Sequence, residues 1–229
     1  MKLIRALYIC LELVLMGGSL SAQNNWILKR DKEGIRISTR QSDRSKFNDI
    51  KVEMNLPGNI GQLAAILIDV EKYSQWSYST KKSVLIKKIT PNKLIYYSEI
   101  SAPWPVTNRD LYAVMEINTD SVLHLLKIIS VGDKNYQPPR NGLVRIPYSK
   151  GVWDITTVSN KVIHLNYVLE VDPGGSVPAW ILNLFSTKAP LETFKNLKNK
   201  MTLLNPGIKI GNSEDLDHSI PLQVDHHYN

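Results

Sequence analysis

At 229 residues the chain is long enough for one domain with a substantial core, or at most two small ones. A hydrophobic content of 43% and a charged content of 21% are ordinary globular values, which excludes a chain disordered throughout. The formal net charge of +7 permits contact with anionic surfaces, but the lysines are scattered. No basic run interleaves with aromatics, which argues against nucleic acid as a partner.

Residues 1–22 read as an export signal. Lys2 and Arg5 precede a mostly apolar run over 6–16, and Gly17, Gly18, Ser19, Leu20, Ser21 and Ala22 supply small residues for cleavage. A cut after Ala22 leaves Gln23 first; a cut after Ser21 and an uncleaved segment are the alternatives. Glu12 interrupts the apolar core and Leu20 is large for its place. The run is shorter than the ~20 residues a spanning helix needs. The lone cysteine, Cys10, falls in this segment, so the mature chain is expected to carry no disulfide, thiolate nucleophile or cysteine metal site. The expected destination is the periplasm or the exterior.

Residues 23–204 carry the periodic patterns. Asn24–Lys29 is expected to form a helical turn. Strands follow over 34–40, with Ile35, Ile37 and Thr39 on one side, and over 50–55, where Ile50, Val52 and Met54 alternate with polar residues until Pro57-Gly58. Ile60, Leu63, Ala64, Leu67 and Ile68 keep helical spacing. A helical turn over Glu71–Trp76 delivers Tyr73 and Trp76 to the sheet.

Hairpins come next. Strands 82–89 and 94–102 flank Thr90-Pro91-Asn92-Lys93, with Tyr96 facing inward. Strands 108–118 and 122–131 flank Thr119-Asp120-Ser121. Arg109 shares its parity with Leu111, Ala113, Met115 and Ile117, so a guanidinium points to the inside of a sheet and needs a partner there. Residues 133–141 form a loop. Residues 142–148 and 152–158 read as one strand line broken at Ser149-Lys150-Gly151. On 162–171, Ile163, Leu165, Tyr167, Leu169 and Val171 share a face.

The last element is helical: Val177, Trp180, Ile181, Leu184 and Phe185, then Phe194, Leu197, Met201 and Leu204, make a broad apolar stripe. Ser176 is the expected N-cap, and Pro190 is expected to kink or split the helix. Residues 205–229 lose periodicity and read as a flexible acidic tail; His226-His227 lacks the spaced partners of a metal site.

Two stretches carry a family resemblance. Pro103-Trp104-Pro105-Val106-Thr107-Asn108-Arg109-Asp110 resembles the central motif of START (steroidogenic-acute-regulatory-related lipid-transfer) domains. Asp172-Pro173-Gly174-Gly175-Ser176-Val177-Pro178-Ala179-Trp180 resembles the approach to their C-terminal helix. The resemblance covers about residues 24–204. It implies a helix-grip fold, a curved antiparallel sheet wrapped around a long C-terminal helix with an internal tunnel. This agrees with the α+β order of elements.

The reading that joins pattern and resemblance is a non-catalytic, monomeric protein without cofactor or metal. It would bind and transfer a lipid or other hydrophobic ligand in a cavity gated by the C-terminal helix, with transient membrane-surface contact. The candidate ligand-facing residues are Trp76, Tyr96, Trp104, Arg109, Leu111, Met115, Tyr167, Trp180, Ile181 and Leu184. For Arg109 the resemblance implies contact with a head-group phosphate. The alternatives are a cavity carboxylate partner or support of the Pro-Trp-Pro corner. Asp110 reads as a structural outward partner. The competing reading is a polyketide cyclase or dehydratase acting on an aromatic ligand, for which His124 is the candidate acid or base, with His164 facing away.

Overall fold

The computed structural model describes residues 26–208, apart from 121 and 123, together with residue 210. The expected signal segment, the residues that open the expected first helical turn and nearly all of the expected tail lie outside the described residues.

Ten strands form one sheet: β1 Ile27–Lys32, β2 Ile35–Arg40, β3 Asp49–Pro57, β4 Thr80–Thr90, β5 Lys93–Ile100, β6 Arg109–Asp120, β7 Leu125–Gly132, β8 Val144–Arg145, β9 Tyr148–Ser159 and β10 Val162–Asp172. The order is β1-β2-β3-β10-β9-β7-β6-β5-β4, antiparallel throughout, with β8 added parallel to β6. Helix α1 (Ile60–Ile68) and a 3₁₀ turn (Val70–Gln75) link β3 to β4. After β10 come a short helix α2 (Ala179–Asn183), a π-helical turn (Leu184–Lys188) and the long helix α3 (Ala189–Leu204). This is the expected α+β arrangement, a curved antiparallel sheet with its helices on one face.

Cross-strand register explains where the core is solid. The row Ile35, Met54, Leu165, Ile155, Leu126 crosses five strands, each residue at most 3% exposed. The next row runs Ile37, Val52, Tyr167, Trp153, Ile128, Ile117. Branched and aromatic side chains at alternate positions fill these rows. Buried Leu63 and Leu67 of α1 and Leu197 and Met201 of α3 join the same core. Helix α1 begins with a capping box: Asn59 Oδ1 accepts from the Gln62 N–H at 3.0 Å, and Gln62 Oε1 accepts from the Asn59 N–H at 3.1 Å.

The third row differs. It runs Thr39, Ile50, Leu169, Gly151, Ser130, Met115, Leu94 and has its smallest residues in the middle. Ser149 faces Val171 in the row beyond. A Cβ at Gly151 would stand 3.2 Å from the Tyr167 hydroxyl, so glycine there lets the Tyr167 ring lie across β9.

Several expectations are corrected. The 24–29 turn gives way to β1, an exposed edge strand paired to β2 through a turn with positive φ at Glu33 and Gly34. The expected break at Ser149-Lys150-Gly151 is the start of an unbroken β9; the chain breaks earlier, at Ile146-Pro147. Strand β6 runs on to Asp120, past the expected start of the turn, and Val122 and His124 lie in turn conformation before β7. Ser176 caps nothing: the N-cap position falls to Pro178, without a side-chain bond. Pro190 does interrupt the helix, but through the π turn ahead of it, so that the proline sits in the first turn of α3.

Asp110 is fully buried on the convex side. Arg145 grips it with two bonds, Nε to Oδ1 at 2.8 Å and Nη2 to Oδ2 at 3.0 Å. Asp110→Ala is expected to cost about 3–5 kcal/mol in denaturant unfolding, because it leaves a buried guanidinium without its carboxylate.

Candidate functional site

Between the sheet and α3 lie two adjoining chambers of about 230 Å³ each. They share a wall that includes Thr80, Ile100, Ile146, Tyr167, Leu169, Thr193 and Phe194. The inner one reaches Trp76, Tyr96, Leu111, Met115 and Trp153, and the small residues Ser98, Ser130, Ser149 and Gly151 form part of its wall. The outer one is bounded by Phe47, Arg109, Pro173, Val177, Phe185, Ala189 and Pro190. Each alone is below the ~300–1,000 Å³ of typical small-molecule sites; joined, they reach that range.

Aromatic rings line the inner end. Trp153 stacks tilted on Tyr167 at 4.2 Å, Phe194 of α3 lies 5.6 Å and 5.4 Å from those rings, and Tyr73 meets Trp76 and Tyr96 edge-on at 5.2 Å and 5.7 Å. Burial pushes the Tyr73, Tyr96 and Tyr167 hydroxyls above their ordinary value, so all three are neutral at physiological pH. Tyr96 Oη and Ser130 Oγ share a hydrogen bond of 2.8 Å.

Arg109 opens β6 and is 4% exposed. It pairs with Ile100 of β5 on one side and Val144 of β8 on the other, which turns its side chain inward. Its guanidinium donates to the carbonyls of Thr107 and, at 3.4 Å, Gly174. Burial pulls it down from its ordinary value. Among the described residues it has no carboxylate partner. The Thr107 carbonyl belongs to the corner, so the guanidinium touches it; the expected alternative of a cavity carboxylate finds no support among the described residues.

The two motifs singled out in the sequence meet here. Asn108 Oδ1 accepts from the Ala102 N–H at 3.0 Å and closes the 102–108 corner, which contains a cis Trp104-Pro105 bond. Gly174 has φ +66, and a Cβ there would stand 3.0 Å from Pro147 and 3.3 Å from the Arg145 carbonyl. Only glycine brings its carbonyl so close to Arg109 at that φ.

Six of the ten sequence candidates line the chambers: Trp76, Tyr96, Arg109, Leu111, Met115 and Tyr167. The inward placement of Trp104 and Trp180 is corrected, and Ile181 and Leu184 are not brought to either chamber. Trp104 stands 90% exposed at the tip of the corner. Trp180 is 51% exposed, and Ile181, though buried, and Leu184 line neither chamber. From this stretch it is Phe185 of the π turn, together with Ala189, Pro190 and Thr193 of α3, that lines the hollow. Leu204, placed on the same stripe, is also exposed.

The sequence reading missed Ser98, Ser130, Ser149 and Gly151. Their signal was small residues at inward parity within otherwise apolar strands. His124, the candidate acid or base of the competing reading, is exposed in the turn before β7 with φ 47 and lines neither chamber. The lining residues of both chambers include no His, Asp, Glu, Lys or Cys. Among the described residues, no group of three or more His, Cys, Asp or Glu could hold a metal ion, and no helix is long and apolar enough to cross a membrane.

The START domain family model matches residues 6–205. The chain belongs to the START domain family. A STAR-related lipid transfer protein fragment from Xanthomonas axonopodis is 29% identical with a TM-score of 0.70, over 77% of this chain and 98% of that one. An uncharacterized protein of Pseudomonas aeruginosa is 29% identical over 180 residues, 76% of this chain and 86% of its own. Mouse phosphatidylcholine transfer protein is 25% identical over 164 residues, 69% of this chain and 75% of its own. The helix-grip fold is therefore that of a START domain. Membership in the family carries lipid binding and transfer in general, with lipids or other hydrophobic molecules as ligands.

His164 lies on the convex side of this START domain, its Nδ1 2.9 Å from Asn55 Oδ1, facing away as expected. Burial pulls it below its ordinary value, with Glu53 opposing and Lys51 adding to the shift. The unfolded chain therefore binds the extra proton more readily. The stability His164 contributes is full above the unfolded value of about 6.5 and is lost as pH falls from there through the folded value. Melting temperature between about pH 7 and pH 5 should fall less steeply in His164→Gln than in the parent.

Proposed function

We propose that this START domain is a non-catalytic carrier of a single lipid with an anionic head group. Its hydrocarbon would lie in the two chambers and its head group at Arg109. The observation that carries this reading is Arg109 itself: a buried guanidinium in the wall of an apolar hollow, bonded among the described residues only to carbonyls. Burying such a cation is costly unless an anion meets it, and a phosphate or carboxylate matches its geometry. The name of the phosphatidylcholine transfer protein supports a phospholipid as one such ligand.

Transfer needs no chemistry. Burial of each methylene is worth about 0.8 kcal/mol, so a twelve-carbon stretch gains about 10 kcal/mol before entropy costs, enough to offset departure from a bilayer. The gate in this reading is the π turn with the first turn of α3. Phe185, Ala189, Pro190 and Thr193 line the hollow there, and π-type turns are commonly found at functional sites. The carrier works as a monomer that touches membranes transiently. It is exported by residues 1–22 and begins, after cleavage, at Gln23.

Native mass spectrometry of the chain purified from cells, followed by lipid extraction, tests this directly. A mature chain carrying one lipid is expected; a chain that stays empty and takes up no phospholipid from vesicles would contradict it. Arg109→Leu should weaken phospholipid binding roughly tenfold to a hundredfold, as for charge-assisted bonds, while the melting temperature barely moves. A large loss of stability with unchanged binding would assign Arg109 to the corner alone.

A further inference from the structure

The hollow has one cation and one blind end. Arg109 is the only charged side chain among the residues that line the two chambers. At the far end Trp76, Tyr96, Leu111, Met115 and Trp153 are each buried, which closes the inner chamber there. At the near end Phe47, Phe185 and Pro190 of the outer chamber are only half-buried. Size sets the limit. An apolar protein cavity of about 150 Å³ takes up one benzene. At about 230 Å³ each, the two chambers together offer about three times that space, roughly eighteen carbons. Overlap along their shared wall only lowers the figure. One long acyl chain fills this space, and two long chains do not enter it. The groove on the other side of Arg109 is no second enclosed berth, since Gly175, Ser176 and Pro178 in its wall are exposed.

We propose that the ligand of this hollow is a single-chain anionic amphiphile, with one acyl chain filling both chambers and its carboxylate or phosphate at Arg109. This rests on the lipid-binding reading and narrows it, because it excludes lipids with two long chains. The physical reason is the stranded second chain. Hydrocarbon that finds no enclosed place stays in water, whereas the bilayer that would supply a two-chain lipid keeps both chains dry. A single chain pays no such penalty, and one guanidinium matches one anionic group. Fatty acids and lysophospholipids share this chemistry. Depth is set by the small residues of the inner wall, Ser130, Ser149 and Gly151.

The test titrates the delipidated mature chain with oleoyl-lysophosphatidic acid, oleic acid and dioctanoyl phosphatidic acid in a calorimeter. The first and third carry the same phosphate and nearly the same number of acyl carbons, in one chain or in two. The parent should bind the one-chain phosphate tighter by about tenfold or more, since the second chain has no enclosed place. Along a series of lysophosphatidic acids of growing length, affinity should rise about fourfold per methylene. It should level off at or before roughly eighteen carbons, a readout that needs no variant. Ser149→Leu, which fills part of the inner chamber, should move the levelling point to shorter chains and leave the shortest lipids bound as in the parent. The ratio of oleic acid to oleoyl-lysophosphatidic acid affinity separates a free acid from a lysophospholipid as the source. Equal binding of the one-chain and two-chain phosphates would overturn the inference. So would affinity that keeps rising past that length, a levelling point unmoved by Ser149→Leu, or a stoichiometric lipid with two long chains on the chain purified from cells. Failure of every probe would overturn the lipid-binding reading beneath it.

Discussion

Small side chains at the centre of a sheet keep it from closing onto its helix. Along the first row, Ile35, Met54, Leu165, Ile155 and Leu126 fill the core, and in the next row the Trp153 and Tyr167 rings already wall the hollow. One and two rows further, Gly151, Ser130 and Ser149 reach only part of the way. Helix α3 spans both regions. Leu197 and Met201 are anchored in the filled end, whereas Ala189, Pro190 and Thr193 pass over the open one. Interiors are close-packed when side chains permit it. The hollow therefore follows from residue size at a few positions, together with the aromatic rings that hold its inner end apart.

Arg109 and Asp110 are adjacent, buried and of opposite charge, yet they do not neutralise each other. Strand alternation sends them to opposite faces. Asp110 meets Arg145 in a two-pronged pair, and Arg145 also donates to the carbonyls of Lys134 and Gln137, which pins the 133–141 loop. Arg109 meets carbonyls alone. The same local sequence thus supplies one charge satisfied within the protein and one that a ligand can satisfy. The two-residue strand β8 serves both, since its backbone holds the start of β6 in register.

The strands with clean alternation were legible in the sequence. Ile50, Val52 and Met54 of β3, Tyr96 of β5 and the inward face of β10 all read correctly, because a period of two has few competing explanations. The inward turn of Arg109 followed from the same parity. What escaped had a physical reason in each case. Ser149-Lys150-Gly151 has turn chemistry but sits mid-strand, where its smallness serves the hollow. Strand β1 is an exposed edge without alternation, and only its pairing to β2 makes it a strand. The π turn is set by how the helix meets the sheet. A stripe drawn with one helical period takes no account of it, and it did not separate exposed Trp180 from Phe185, which lines the hollow. Trp104 belongs to the motif that carries Arg109, and its neighbours do line a groove beside that residue, but its own side chain is exposed.

The central claim is that ligand-sized space persists between β9, β10 and α3 and that a lipid occupies it. A crystal structure of the chain purified from cells without delipidation tests it most directly. The account predicts continuous density that belongs to no residue, running from the Arg109 guanidinium between Tyr167 and Phe194 to Trp76. Side chains of Phe185 and Phe194 collapsed onto Gly151 and Ser130, with no such density and no space to hold it, would contradict it.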